Sequence, residues 1–236
     1  MSKLPISIGI LSWEGHQTLL QTLTSYNNNN FLQNVNDVCI LFNEVSDEDK
    51  KVAELFNIPY IGKKNNIGIG KGFLELIEQC KTNNVLILEN DWQLVENLET
   101  TIKRLQSGLD LLDNKIDVVR YRHRINPGHP LFSLVHKDKE LDYYDDWSQL
   151  KSPHLLDSIH WTKNPEVKFK GLIEKNNEYF ITTSRYGNWT NNPCLYKKSF
   201  YIDNIKPFMG EGEDLEKKIA YWWPRQNFKI AHGEGL

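Results

Sequence analysis

The chain has 236 residues and a formal charge of −3, with 39% hydrophobic and 25% charged residues. A chain of this length buries roughly 70–75% of the surface exposed by its unfolded form, so it needs neither disulfides nor a metal to fold. The near-balance of charge argues against a nucleic-acid partner, since phosphate binding leaves a clear basic excess.

The first half alternates strand-like and helix-like segments. Pro5 to Leu11 reads as a strand ending at Ser12-Trp13-Glu14-Gly15. The apolar run Leu4 to Leu11 is far short of the ~20 residues of a spanning helix, and it lacks the flanks of a signal peptide. No integral membrane segment is therefore expected. His16 to Tyr26 carries Leu19, Leu20 and Leu23 at helical spacing, and Asp37 to Phe42 is an unbroken apolar strand of the kind buried on both faces of a parallel sheet. Ser46 with Asp49 three residues on forms a capping-box start, followed by Val52, Leu55 and Phe56 as a buried stripe. Pro59 to Gly62 is a short strand, Gly72 to Lys81 a helix with Phe73, Leu76, Ile77 and Cys80 on one face, and Asn84 to Leu88 another apolar strand. Leu98, Ile102, Leu105, Leu109 and Leu112 keep a 3.6-residue period, and Ile116 to Tyr121 is a fifth strand.

From Asn126 to Lys170 periodicity is weak, and the chain is rich in Pro, His, Trp and charge. Glu178 to Ser184, Pro193 to Tyr196 and Phe228 to Ala231 are strand-like, and Gly212 to Trp222 is a short helix running from acidic to basic. The expected class is α/β, with a mostly parallel central sheet flanked by helices and a smaller region of mixed strands. With no linker visible, residues 1–236 are expected to form one domain with halves 1–125 and 126–236, and the end soon after a strand points to a piece of a longer polypeptide. Cys39, Cys80 and Cys194 lie far apart without CxxC spacing, which points to a reducing cytoplasm and no zinc site.

Three clusters carry chemistry. Glu89-Asn90-Asp91 directly follows an apolar strand, so both carboxylates face the same way and can reach one hard divalent cation. A solvated loop fits the triplet equally well. The stretch Asn65-Asn66-Ile67-Gly68-Ile69-Gly70-Lys71-Gly72 joins a strand to a helix, where amides and Lys71 can meet an anion. It is neither a P-loop nor a complete GxGxxG, and a plain strand-to-helix turn explains it too. Gly210 to Glu216 holds four acids at a helix start, suited to a general base or to dipole compensation. Asp145-Asp146 suits a solvated loop better than a lid over an acceptor. Arg120, Arg122 and Arg124 project to one face, as on a solvated sheet edge. His129, His136, His154 and His160 show no ligand spacing.

In order and spacing these segments resemble the GT-A fold glycosyltransferases, especially the inverting family 2-like group. The opening strand with Ser12-Trp13-Glu14, the "NNIGIGKG" stretch, "LILENDW" in place of a DxD segment and "GEGED" in place of an xED motif carry the resemblance over most of the chain. Glu89 departs from the usual first Asp, and Lys71 stands near where many relatives place an Arg. The resemblance implies that Ser12, Trp13, Glu14, Asn43 and Glu44 lie near the base or ribose, with Asn66, Gly68 and Lys71 lining the nucleotide site. Asn90 would contact ribose. Asp91, Glu89 and His232 would hold Mn²⁺ or Mg²⁺. Asp214 would be the base and Glu213 would bind acceptor. The implied activity is metal-dependent, hexosyltransferase-type transfer from a nucleotide-sugar donor, UDP-linked, to a glycan or other acceptor hydroxyl with inversion. The alternatives are a sugar nucleotidyltransferase and a non-catalytic nucleotide- or glycan-binding module.

Overall fold

Four apolar runs, each followed by a helix, build the first half. The computed structural model describes residues 3–122, 164–187, 189–191, 193–209 and 215–236, and the backbone of two short strands between 135 and 140. Strands β1 (Leu4–Ser12), β2 (Val35–Phe42), β3 (Tyr60–Gly62) and β4 (Asn84–Glu89) alternate with helices α1 (His16–Asn28), α2 (Asp47–Leu55), α3 (Ile69–Gln79) and α4 (Leu98–Asp113). There follow β5 (Val118–Arg120), the antiparallel pair β6 (Val135–His136) and β7 (Lys139–Glu140), α5 (Pro165–Lys168), β8 (Glu174–Asn176), β9 (Tyr179–Thr183) and β10 (Cys194–Lys197). A helical run then passes from α6 (Lys198–Phe200) through a π turn at Tyr201–Ile205 to a 3₁₀ turn at Lys206–Phe208, before α7 (Leu215–Ile219) and β11 (Lys229–His232).

Nine strands form one sheet in the order β3-β2-β1-β4-β10-β5-β11-β9-β8. The pairs β2–β3, β1–β2, β1–β4 and β5–β11 are parallel, whereas β10 runs antiparallel to both β4 and β5. Side chains alternate across this sheet. Ile6, Ile8, Ile10, Leu86 and Leu88 face α1, α2 and α4 on one side. Leu41, Val85 and Ile87 face α3 and an aromatic cluster on the other. Fully burying each such Leu or Ile contributes about 1.5–3 kcal/mol, so both layers are strongly held.

The expected capping box is present: the Asp49 amide donates to Ser46 Oγ (3.1 Å) and the Ser46 amide to Asp49 Oδ2 (2.9 Å). Three details differ from the sequence expectations. Leu55 is 70% exposed, because Val52 and Ala53 carry the buried stripe of α2. Helix α3 begins at Ile69 rather than Gly72, since its glycines are packing positions: a Cβ on Gly72 would stand 2.7 Å from Leu11 Cδ1. Arg120 is not on a sheet edge. Strand β5 lies between β10 and β11, and Arg120 is 2% exposed. Arg124, Asp145-Asp146 and His129, His154 and His160 lie outside the described residues, as do Trp147 and Trp161.

The tryptophans that are described in the second half mostly serve the core. Trp189 packs edge-on to Trp223 with ring centroids 5.1 Å apart, and the Trp223 indole donates to the Gly187 carbonyl (2.6 Å). Among the described residues, no helix is long and apolar enough to cross a membrane.

Candidate functional site

Connections from β1 run to β2 and β3 on one side, while β4 lies on the other, so the crevice between the carboxyl ends of β1 and β4 is a topological switch point. Ligands in open α/β sheets bind at such a crevice. The residues around it are laced together. The Asn43 amide donates to the Ser12 carbonyl (2.8 Å), which ties the ends of β1 and β2. Just beyond each end stands a glutamate in the left-handed region, Glu14 at φ 47° and Glu44 at φ 76°, an unusual conformation that costs on the order of 1–2 kcal/mol for a non-glycine residue. The indole of Trp13, half exposed, donates to Glu44 Oε2 (3.3 Å). Ser12 is buried and its hydroxyl has no hydrogen-bond partner among the described residues.

Asn43 is buried and spends its carboxamide on the loop before α3. Its Nδ2 donates to Asn66 Oδ1 (2.8 Å) and its Oδ1 accepts from the Ile67 amide (2.7 Å). Asn66 Oδ1 also accepts from the Gly68 amide (2.8 Å), and Gly68 sits at φ 84°, which is why glycine stands there. The amides of Ile67 and Gly68 are thus already engaged, and an anion would meet those that follow, up to Lys71 in the first turn of α3. A Cβ on Gly70 would lie 3.6 Å from Leu215 Cβ and 3.7 Å from Met209 Cγ. Met209 and Leu215 are the described residues on either side of 210–214, so both flanks of the acidic segment reach the start of α3. Asp214 and Glu213 themselves lie outside the described residues.

At the end of β4, Glu89 is half-buried and Asp91 exposed. Burial pushes the Glu89 carboxyl up to about 7, helped by the negative charges of Asp91 and Glu216 and opposed by the polar edge of the Trp92 indole. Asn90 turns its carboxamide to the Gly15 carbonyl (3.3 Å), and a Cβ on Gly15 would lie 1.9 Å from Asn90 Nδ2. Gly15 is therefore part of the turn's seat.

No protein-family model matches the sequence, and no curated protein matches it. Solved structures do match. Residues 1–349 of TarS from S. aureus, a GT-A-type glycosyltransferase, superpose with a TM-score of 0.58 at 14% identity, over 99% of this chain and 60% of that one. The same TarS fragment in complex with UDP superposes at 0.54 with 13% identity, over 99% of this chain and 60% of that one. In complex with UDP-GlcNAc the values are 0.52 and 16%, over 99% and 58%. The chain has the GT-A fold. It spans about 60% of the length of the TarS fragment.

Within this GT-A sheet, Glu89 and Asp91 come together and His232 stands apart. His232 lies on β11, in register with Arg120 of β5 and Phe180 of β9, and is fully buried. Strands β10 and β5 intervene between β11 and β4, which separates the backbones by ~14 Å at the usual strand spacing. Its ring packs beneath Gly187, where a Cβ would lie 3.3 Å from Nε2. Among the described residues, no group of three or more His, Cys, Asp or Glu side chains is placed to hold a metal. Two oxygen-donor residues at a rim still fit a hard cation that also takes substrate phosphate, because such ions commonly use one or two carboxylates and complete their shell with phosphate and water. The mutual repulsion felt by Glu89 is the electrostatic counterpart of that fit.

Glu216 and Trp92 were given no role from the sequence, yet both act on Glu89. Each had a signal: Glu216 belongs to the acidic cluster, and Trp92 follows Asp91 directly. Gly15 had none, since its requirement comes from Asn90, 75 residues away.

The shift of Glu89 has a measurable sign. Its folded value, about 7, lies above the ordinary 4.5, so the folded chain holds this proton more tightly than the unfolded one. The associated stability is present below pH ~4.5 and is lost as pH rises through 7. Glu89→Gln is expected to match the parent near pH 4.5 and to exceed it at pH 8 by up to about 3 kcal/mol without added metal. Urea melts of both proteins in chelator at the two pH values measure this, and equal differences at both would show that Glu89 ionises normally.

Proposed function

We propose that the protein is a metal-dependent glycosyltransferase that moves a sugar from a nucleotide-diphosphate donor, UDP-linked, to an acceptor hydroxyl with inversion. The observation that carries this reading is the Glu89-Asn90-Asp91 turn at the switch point of a GT-A sheet. In this reading Trp13, Glu14 and Glu44 border the base and ribose, with Ser12 and Asn43 beneath them. Asn66, Gly68 and Lys71 flank the diphosphate, and the positive charge of Lys71 together with the α3 N-terminus favours its negative charge. Glu89 and Asp91 would hold Mn²⁺ or Mg²⁺, and His232, with two strands between β11 and β4, is left out of this set. A bound divalent ion supplies charge neutralisation on the leaving diphosphate. Asn90 orients the turn through Gly15 and borders the ribose.

Asp214 takes the proton of the acceptor hydroxyl as its oxygen attacks the anomeric carbon, on the face opposite the departing nucleoside diphosphate, while Glu213 binds the acceptor. One such displacement inverts configuration. Residues 1–125 then serve the donor and 126–236 the acceptor within one domain, and the three buried, disulfide-free cysteines fit work in the cytoplasm.

The test is a donor assay with UDP-, GDP- and dTDP-sugars in Mn²⁺. Release of free UDP from its sugar is the expected result. Pyrophosphate release would instead identify a sugar nucleotidyltransferase, and binding without any release a non-catalytic module.

A further inference from the structure

Helix α1 buries polar groups on the face it turns to the sheet, among apolar neighbours. Leu19, Leu23 and Tyr26 belong to the core, yet Thr22 beside them is fully buried and Tyr26 keeps a hydroxyl there. Burying a hydroxyl is costly unless it is hydrogen-bonded. Each of these groups bonds to the segment that follows Glu89. Thr22 Oγ1 donates to the Asn90 carbonyl (2.8 Å), and the Tyr26 hydroxyl donates to the Trp92 carbonyl. Ser25 Oγ accepts from the Leu94 amide (3.1 Å) while donating to the Thr22 carbonyl (2.7 Å).

Residues 22, 25 and 26 share one helix face by their i, i+3, i+4 spacing. Thr22 engages residue 90, Ser25 residue 94 and Tyr26 residue 92, and Gly15, just before the helix, accepts from the Asn90 side chain. Four contacts from one helix therefore pin alternate residues of one short segment. Asp91 lies between two pinned residues, so its backbone has little freedom to move.

We propose that Thr22, Ser25 and Tyr26 are positioning residues that set where the Asp91 carboxylate stands, so that α1 acts as the rigid back of the metal- and diphosphate-binding turn. This rests on the donor-site reading of Asp91. None of the three touches donor. They act through the backbone of residues 90–94, where a small displacement of a ligand side chain weakens a binding site built to close tolerance.

The test uses Thr22→Val, which keeps the shape and removes the hydroxyl, with Thr22→Ser as the variant that restores it. Amide hydrogen exchange in the peptide 89–95 should quicken about tenfold in Thr22→Val and stay at the parent rate in Thr22→Ser. By calorimetry, UDP affinity in Mn²⁺ should fall about tenfold in Thr22→Val, while the weaker affinity in chelator stays unchanged. A merely structural defect would lower both affinities alike, and that result, or unchanged exchange in 89–95, overturns the proposal. If Thr22→Val does not fold, Ser25→Ala at the rim of the same face is read in the same two ways. If the parent itself shows no Mn²⁺-linked UDP binding, the donor reading fails, and the exchange experiment alone decides the positioning role.

Discussion

Asp214→Asn should cut sugar transfer by ~10²–10⁴-fold while UDP affinity in Mn²⁺ stays at the parent level. General-base assistance is worth that much, and the amide keeps the shape of the carboxylate but cannot take the acceptor's proton. The split between turnover and binding is the informative part. If Asp214 merely capped α7 or compensated its dipole, the loss would appear in stability, at about 0.5–2 kcal/mol, and turnover would hardly change. The approach of Met209 and Leu215 to Gly70 brings the flanks of the acidic segment to the start of α3, beside the proposed donor site. Single-turnover transfer and calorimetry on the same preparation separate the two roles, and near-normal turnover would remove Asp214 from the chemistry.

Asp91→Ala should weaken Mn²⁺ and UDP binding together and lower turnover by ~10²–10³-fold, the usual loss when one preorganised electrostatic contact to a developing charge is removed. The coupling follows from the small ligand set. With Glu89 and Asp91 as the proposed carboxylate ligands, diphosphate and water would complete the shell, so neither cation nor nucleotide should bind well without the other. In the parent, UDP affinity should rise steeply with Mn²⁺. In Asp91→Ala that dependence should flatten. Calorimetric titrations of UDP with and without Mn²⁺ measure it, and an unchanged dependence would reject the metal role of Asp91.

Much of the framework is legible in the amino-acid sequence. The unbroken apolar runs of β2 and β4 announce strands buried on both faces, the capping box at Ser46 starts α2, and the period of Leu98 to Leu112 outlines α4. Each is a local signal, carried within one or two turns of chain. The features that differ share another origin. Arg120 looks like an edge residue because its neighbours alternate with charge, but β10, 74 residues further on, pairs against its strand and buries it. The glycines before α3 look like a break or an anion loop, yet Gly72 is required by Leu11 of β1. Thr22 and Ser25 look like ordinary helix residues, because the carbonyl and amide they bind lie some 70 positions away.

The chain's mild excess of negative charge has a location. By itself the sequence determined which strand and helix ends carry acids, since local propensity and apolar period mark those ends within a few residues. The tertiary structure alone decided which of them meet. Strand order depends on pairing between residues distant in the chain, which leaves no local trace, and that order puts the Glu89-Asn90-Asp91 turn under the hold of α1 while setting His232 three strands away.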